Sequence, residues 1–139
     1  MTIYTLPVAP IHTTASELRA AIARVQEKIE GRRMIGELSS PEATGRMRLT
    51  TASHIVTGLR VKADGQLETD LEFVDNEQGR MARTFVEIGR TYPVHGVIRA
   101  FGTRHGQLVR GMEIITVDLN IGAIPDGPAV IDLLGDVVR

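Results

Sequence analysis

Two alternating runs joined by an Asp-Gly turn restrict this chain more than any other feature. Ile55, Thr57, Leu59 and Val61 alternate with Val56, Gly58, Arg60 and Lys62. Leu67, Thr69, Leu71 and Phe73 alternate with Gln66, Glu68, Asp70 and Glu72. A period of two sends each set to one face of a strand. Ala63-Asp64-Gly65 between the runs is a turn signal. The spacing therefore predicts an antiparallel hairpin whose second strand has an acidic outer face. More strands are expected at Arg46–Thr50, at Tyr92–Phe101 ending on Gly102, and at Leu108–Leu119, with Thr103–Gly106 as a turn.

Helical spacing appears twice. Thr14 and Glu17 have the separation of a capping box. Leu18, Ala21, Ile22, Val25 and Ile29 then make one apolar face. Gly31 suits the left-handed residue that closes a helix. After the polar loop Asp75–Gly79, a second short helix is expected with Met81, Phe85 and Ile88 inward and Gly89 as its stop. The first 13 residues carry two prolines and no helical period, so they read as an extended arm with a short strand at Ile3–Thr5. Residues 125–139 read as a tail. The whole is α+β: a small, mostly antiparallel barrel with two helices, formed by residues 14–124.

Composition narrows the function classes. At 139 residues the chain is expected to be one domain with a core that needs no staples. A net charge of −1 supplies no global pull toward nucleic acid, and three Phe, two Tyr and no Trp supply few stacking platforms. Without cysteine there is no thiolate chemistry and no disulfide. No apolar run is long enough to span a membrane, and no leader is read at the N-terminus. The histidines at 12, 54, 95 and 105 lack metal-site spacing, so neither metal nor cofactor is expected. Ser53 and His54 are adjacent. On a strand they point to opposite faces and form no dyad, and His54 is read as a strand residue with its ring hydrogen-bonded. Arg99, Arg104 and Arg110 are read as solvated strand positions.

One ordered set of motifs resembles a known family. The helix Thr14–Ile29 leads into Gly36-Glu37-Leu38-Ser39-Ser40-Pro41. Ser53-His54 follows, then the loop and helix over 75–89, then His95-Gly96-Val97-Ile98-Arg99-Ala100-Phe101-Gly102, then Val117-Asp118-Leu119. This order is similar to that of the prohead (head maturation) proteases of tailed bacteriophages. The resemblance implies a barrel of the prohead protease and herpesvirus assemblin type. In that family the position of Ser40 holds the histidine base and that of Val97, or Ile98, the serine nucleophile. Asp118 falls at the acidic position.

From those departures the chain is expected not to be an enzyme. It is expected to be a structural head protein, a capsid decoration, cement or minor component, that binds the major capsid protein. A homodimer is a further expectation. So is residence in the virion capsid after assembly in the host cytoplasm, with neither nucleic acid nor membrane as partner. Two other readings stay open. One is an active serine endopeptidase with Ser40 as nucleophile, His95 as base and Asp118 as its orienter. The other is an internal assembly factor of the prohead.

Overall fold

The computed structural model describes residues 2–38, 51–89, 93–106 and 108–124. Among them are six strands and two helices: β1 (Tyr4–Val8), α1 (Ala15–Glu30), β2 (Ile35–Glu37), β3 (Ala52–Val61), β4 (Leu67–Phe73), α2 (Glu77–Ile88), β5 (Val94–His105) and β6 (Leu108–Ile121). The strand expected at 46–50, the tail 125–139 and Ser39 and Ser40 lie outside the described residues.

The predicted hairpin is present as β3 and β4, paired from Val61↔Leu67 to His54↔Phe73. Leu67, Thr69 and Leu71 are buried. The acidic outer face is neutralised locally. Arg60 bonds both Glu68 and Asp70, and Arg32 pairs with Glu72. The sheet order is β2-β3-β4-β1-β5-β6. Among the described strands β1 and β5 pair in parallel, meeting at Val8↔Gly96, and the other strand pairs are antiparallel; the isolated Leu38↔Leu119 bridge is parallel.

The ends of the sheet curl together until β2 meets β6. Leu38 bridges Leu119, the Thr116 hydroxyl donates to the Ile35 carbonyl at 2.7 Å, and the Glu37 amide donates to Asp118 Oδ1 at 3.0 Å. The result is an all-but-closed barrel, the expected class. α1 lies against β3 and β6, and α2 against β3 and β4.

α1 buries the face that periodicity assigns: Leu18, Ala21, Ile22, Val25 and Ile29. Thr14 caps it by accepting from the Glu17 amide. The Glu17 carboxylate turns away to β6, where it accepts from the Gly111 and Met112 amides at 2.5 and 3.3 Å. Arg24 and Lys28 donate to the Met112 and Ile115 carbonyls of the same strand. Side chains of α1 thus satisfy a stretch of β6 edge that has no strand beside it among the described residues. At the other end, Arg32 rather than Gly31 is left-handed, at φ 58°. The Arg33 amide reaches the Lys28 carbonyl and the Arg32 amide the Ile29 carbonyl, a Schellman closure.

Three expectations need correction. The short strand expected at Ile3–Thr5 runs over Tyr4–Val8 and sits between β4 and β5, because its backbone completes both ladders. β5 runs on to His105, so the turn falls at Gly106 (φ 62°) and not over 103–106. Finally, α2 is rotated. It buries Gly79 and Ala82, while Met81 and Ile88 are 43% and 44% exposed. A Cβ on Gly79 would stand 1.8 Å from the Val74 carbonyl oxygen, so the helix approaches on its smallest residues.

Candidate functional site

Cross-strand partners share a face, and neighbours along a strand alternate. β5 and β6 pair His95↔Asn120, Val97↔Asp118 and Arg99↔Thr116. His95, Val97 and Arg99 therefore share a face with Asp118, while Ile98 packs against the apolar core with Val117. Of the two positions the family resemblance offers for a nucleophile, Val97 lies in the polar site and Ile98 does not.

The centre of the site is a buried ionic network at the end of β2. Arg99 Nη2 lies 2.9 Å from Asp118 Oδ1 and 3.4 Å from Glu37 Oε2. Asp118 Oδ1 also accepts from the Glu37 amide, and the Thr51 hydroxyl donates to Glu37 Oε1. Glu37, Arg99 and Asp118 are each less than 8% exposed. Taking such charges from water is costly unless each is paired and hydrogen-bonded, and here one guanidinium serves two carboxylates. Arg99 is thus not the solvated residue expected from the sequence. In the sequence Glu37 stands out only as part of the Gly36–Pro41 motif. The available signal was a lone charge inside an otherwise core-like strand, at both Arg99 and Asp118.

His95 is 5% exposed, and its Nδ1 is 3.0 Å from the Gly122 carbonyl. A carbonyl only accepts, so in the neutral ring Nδ1 carries the proton and Nε2 is the acceptor nitrogen. This is the tautomer a general base needs. The orienting group is the Gly122 carbonyl, and not Asp118 as expected: Asp118 is engaged by Arg99 and the Glu37 amide. Whether Ser40 approaches His95 falls outside the described residues.

Ser53 and His54 do meet, against the expectation from alternation. Ser53 Oγ is 2.6 Å from His54 Nδ1. Glu37 pairs with Ala52 and Gly36 with His54, so Ser53 is the extra residue of a bulge, where the two-residue period breaks. The other ring nitrogen, Nε2, donates to the Val117 carbonyl at 2.7 Å. The His54 ring is hydrogen-bonded, as expected. Both side chains are fully buried, and burial pushes the His54 pKa down to about 4. The ring reaches from β3 past Gly36 to β6 and fastens the seam. A pair with no exposed atom meets no substrate in this conformation.

Among the described residues no group of three or more His, Asp or Glu side chains is placed to hold a metal ion. No described helix is long and apolar enough to cross a membrane.

The architecture is that of a viral capsid protease fold. In particular, it is similar to the solved structure of the bacteriophage T4 capsid assembly protease, gp21, with a TM-score of 0.62 and 16% identity, over 86% of this chain and 81% of that one. No protein-family model matches the sequence, and no curated protein does. The likeness is one of fold, and it supports the resemblance read from the motifs. It also overturns the expectation that the chain is not an enzyme. The matched structure is a protease, which points toward an enzyme, and nothing shows inactivation. The reason is physical as well. The expectation rested on two positions aligned by motif. One of them, Ser40, lies outside the described residues, and the other, Val97, shares its strand face with His95 and with the Arg99–Asp118 ion pair, which the sequence did not reveal.

Proposed function

We propose that this chain acts in the assembly of a phage head, on head protein chains that it engages at the β5–β6 face carrying His95, Arg99 and Asp118. The fold likeness to a capsid assembly protease carries this reading. Endopeptidase action is favoured by the ring of His95, held with its acceptor nitrogen on the face of the buried ionic network. The attacking hydroxyl would come from the segment that follows Leu38, which contains Ser39 and Ser40. Acyl transfer would then proceed by attack of that oxygen on a peptide carbonyl, with His95 taking the hydroxyl proton and passing it to the leaving amine.

A lasting place in the head is the second reading. The outer part of the β5–β6 hairpin favours it: residues 101–106 are all exposed, and Phe101 is 54% exposed. A hairpin end exposed over six consecutive residues leaves its side chains open to contact with another protein.

Assembling and mature heads, isolated separately, decide the matter. The intact chain is counted in each by quantitative mass spectrometry, and new N-termini of head proteins are mapped. The chain is expected in assembling heads. Head-protein cleavage that is lost in Ser40→Ala and His95→Gln particles establishes the peptidase. Many intact copies in mature heads, without such cleavage, establish the lasting component. Absence from both kinds of head overturns the assembly role.

A further inference from the structure

A groove of about 580 Å³ runs between α1 and the Gly111–Ile114 stretch of β6, a size within the range of ligand pockets. Ala21, Val25, Met112 and Ile114 give it an apolar lining, and Glu17, Arg24 and Lys28 stand along it. It occupies the other half of β6 from Asp118 and Asn120, so it is separate from the His95 face. Met112 turns both of its backbone groups toward α1: the amide meets Glu17 and the carbonyl meets Arg24. The Ile115 carbonyl accepts from Lys28 at 3.0 Å, and Gly111, at φ 62°, turns a second amide onto Glu17. Charged side chains thus stand where the polar atoms of a neighbouring main chain would. β6 is bulged on both sides of Glu113–Ile114, which opposes a long added strand and admits a short segment.

Charge selects the occupant. Among the described residues Arg24 and Lys28 end on carbonyls, and neither has a carboxylate within ion-pair distance. A carbonyl leaves their charge uncompensated. Burial and the neighbouring cation Arg33 together hold the Lys28 amine below its ordinary pKa, with Glu113 opposing in part. Glu17 is committed to two amides. Arg24 and Lys28 are four residues apart on α1, about 6 Å along its axis. Alternate residues of an extended chain share a face and lie about 6.6 Å apart, which matches that spacing. We propose that this groove docks a short extended segment of a partner protein with acidic residues at alternate positions. Arg24 and Lys28 turn from the β6 carbonyls to its carboxylates, and Met112 bonds its main chain. Such docking goes beyond a part in head assembly and does not depend on it.

NMR titration of the full chain with a short capped peptide, valine alternating with aspartate, tests it. Amide shifts are expected at Gly111–Ile115 and along α1 from Ala21 to Lys28. Arg24→Gln and Lys28→Gln are each expected to weaken binding at least about tenfold, through loss of a charge-assisted hydrogen bond. The charge-conserving Arg24→Lys and Lys28→Arg are expected to retain it. The same peptide with lysine in place of aspartate is not expected to bind. An absence of shifts at millimolar aspartate peptide overturns the proposal. So do shifts confined to other parts of the molecule, equal binding of the lysine peptide, or affinity that both glutamine variants keep while their circular dichroism matches that of the wild type. Movement of the groove amides on dilution of the chain alone would give the groove to a second copy and overturn it as well.

Discussion

Gly36 stands where two neighbouring strands leave no room for a methyl group. A Cβ there would lie 2.2 Å from the Val117 carbonyl oxygen and 2.3 Å from His54 Nε2. The missing side chain lets the His54 ring pass under β2 and reach β6. That contact sets an acid dependence whose sign follows from the pKa. An unfolded imidazole titrates near 6.5, and the folded one only at about 4. Between these values the unfolded chain alone takes up the proton. The contribution of His54 is therefore complete above pH 6.5 and is lost as pH falls toward 4, by on the order of 3 kcal/mol. Tm measured against pH is expected to fall less steeply over that window in His54→Gln than in the parent, the shared carboxylate titrations cancelling in the comparison. Equal slopes would show that the ring is protonated in the fold. That His54 is hydrogen-bonded was legible in the sequence. Its partner was not, because Val117 lies 63 residues away and becomes a neighbour only when the barrel closes.

The two helices show where periodicity works and where it fails. α1 has five apolar residues at regular spacing, all buried, because a long stripe finds one orientation on β3 and β6 that hides it entirely. α2 is shorter, and its orientation is set by its start. Asn76 accepts from the Gly79 amide at 2.7 Å and donates to Ala52, which brings Gly79 and Ala82 down onto the sheet in place of the larger Met81. Close approach of small residues competes with burial of large ones, and here the anchored turn decides. Asn76→Ala removes the cap and the tie to β3 together, at an expected cost of about 1–2 kcal/mol. Urea denaturation measures it. Asn76→Asp retains the capping oxygen and is expected to recover part of the loss.

For the whole molecule, the closing seam and the candidate site are one structure. Among the described residues β2 and Leu38 meet β6 near residues 116–119, and the buried network of Glu37, Arg99 and Asp118 spans that junction. Arg99→Met leaves two carboxylates in a water-poor site without their shared cation, at an expected cost of about 3–5 kcal/mol. Chemical denaturation gives the energy. Hydrogen exchange at the Glu37 amide, faster in the variant than elsewhere in the barrel, would place the damage at the seam. A loss below about 1 kcal/mol would mean that the carboxylates are hydrated or otherwise paired. The network is therefore expected to stabilise the barrel, whatever its part in function.

The sequence alone determined the hairpin of β3 and β4, the buried face of α1 and the motif order of a capsid protease fold. These rest on spacings within one element or on the order of elements along the chain. It did not determine the bulge that joins Ser53 to His54, the pairing of Arg99, the tautomer of His95 or the outward stripe of α2. Each of those depends on a contact between segments distant in the chain. Only the curvature that brings β2 onto β6, and the anchored start of α2, decides which of the available partners each side chain meets.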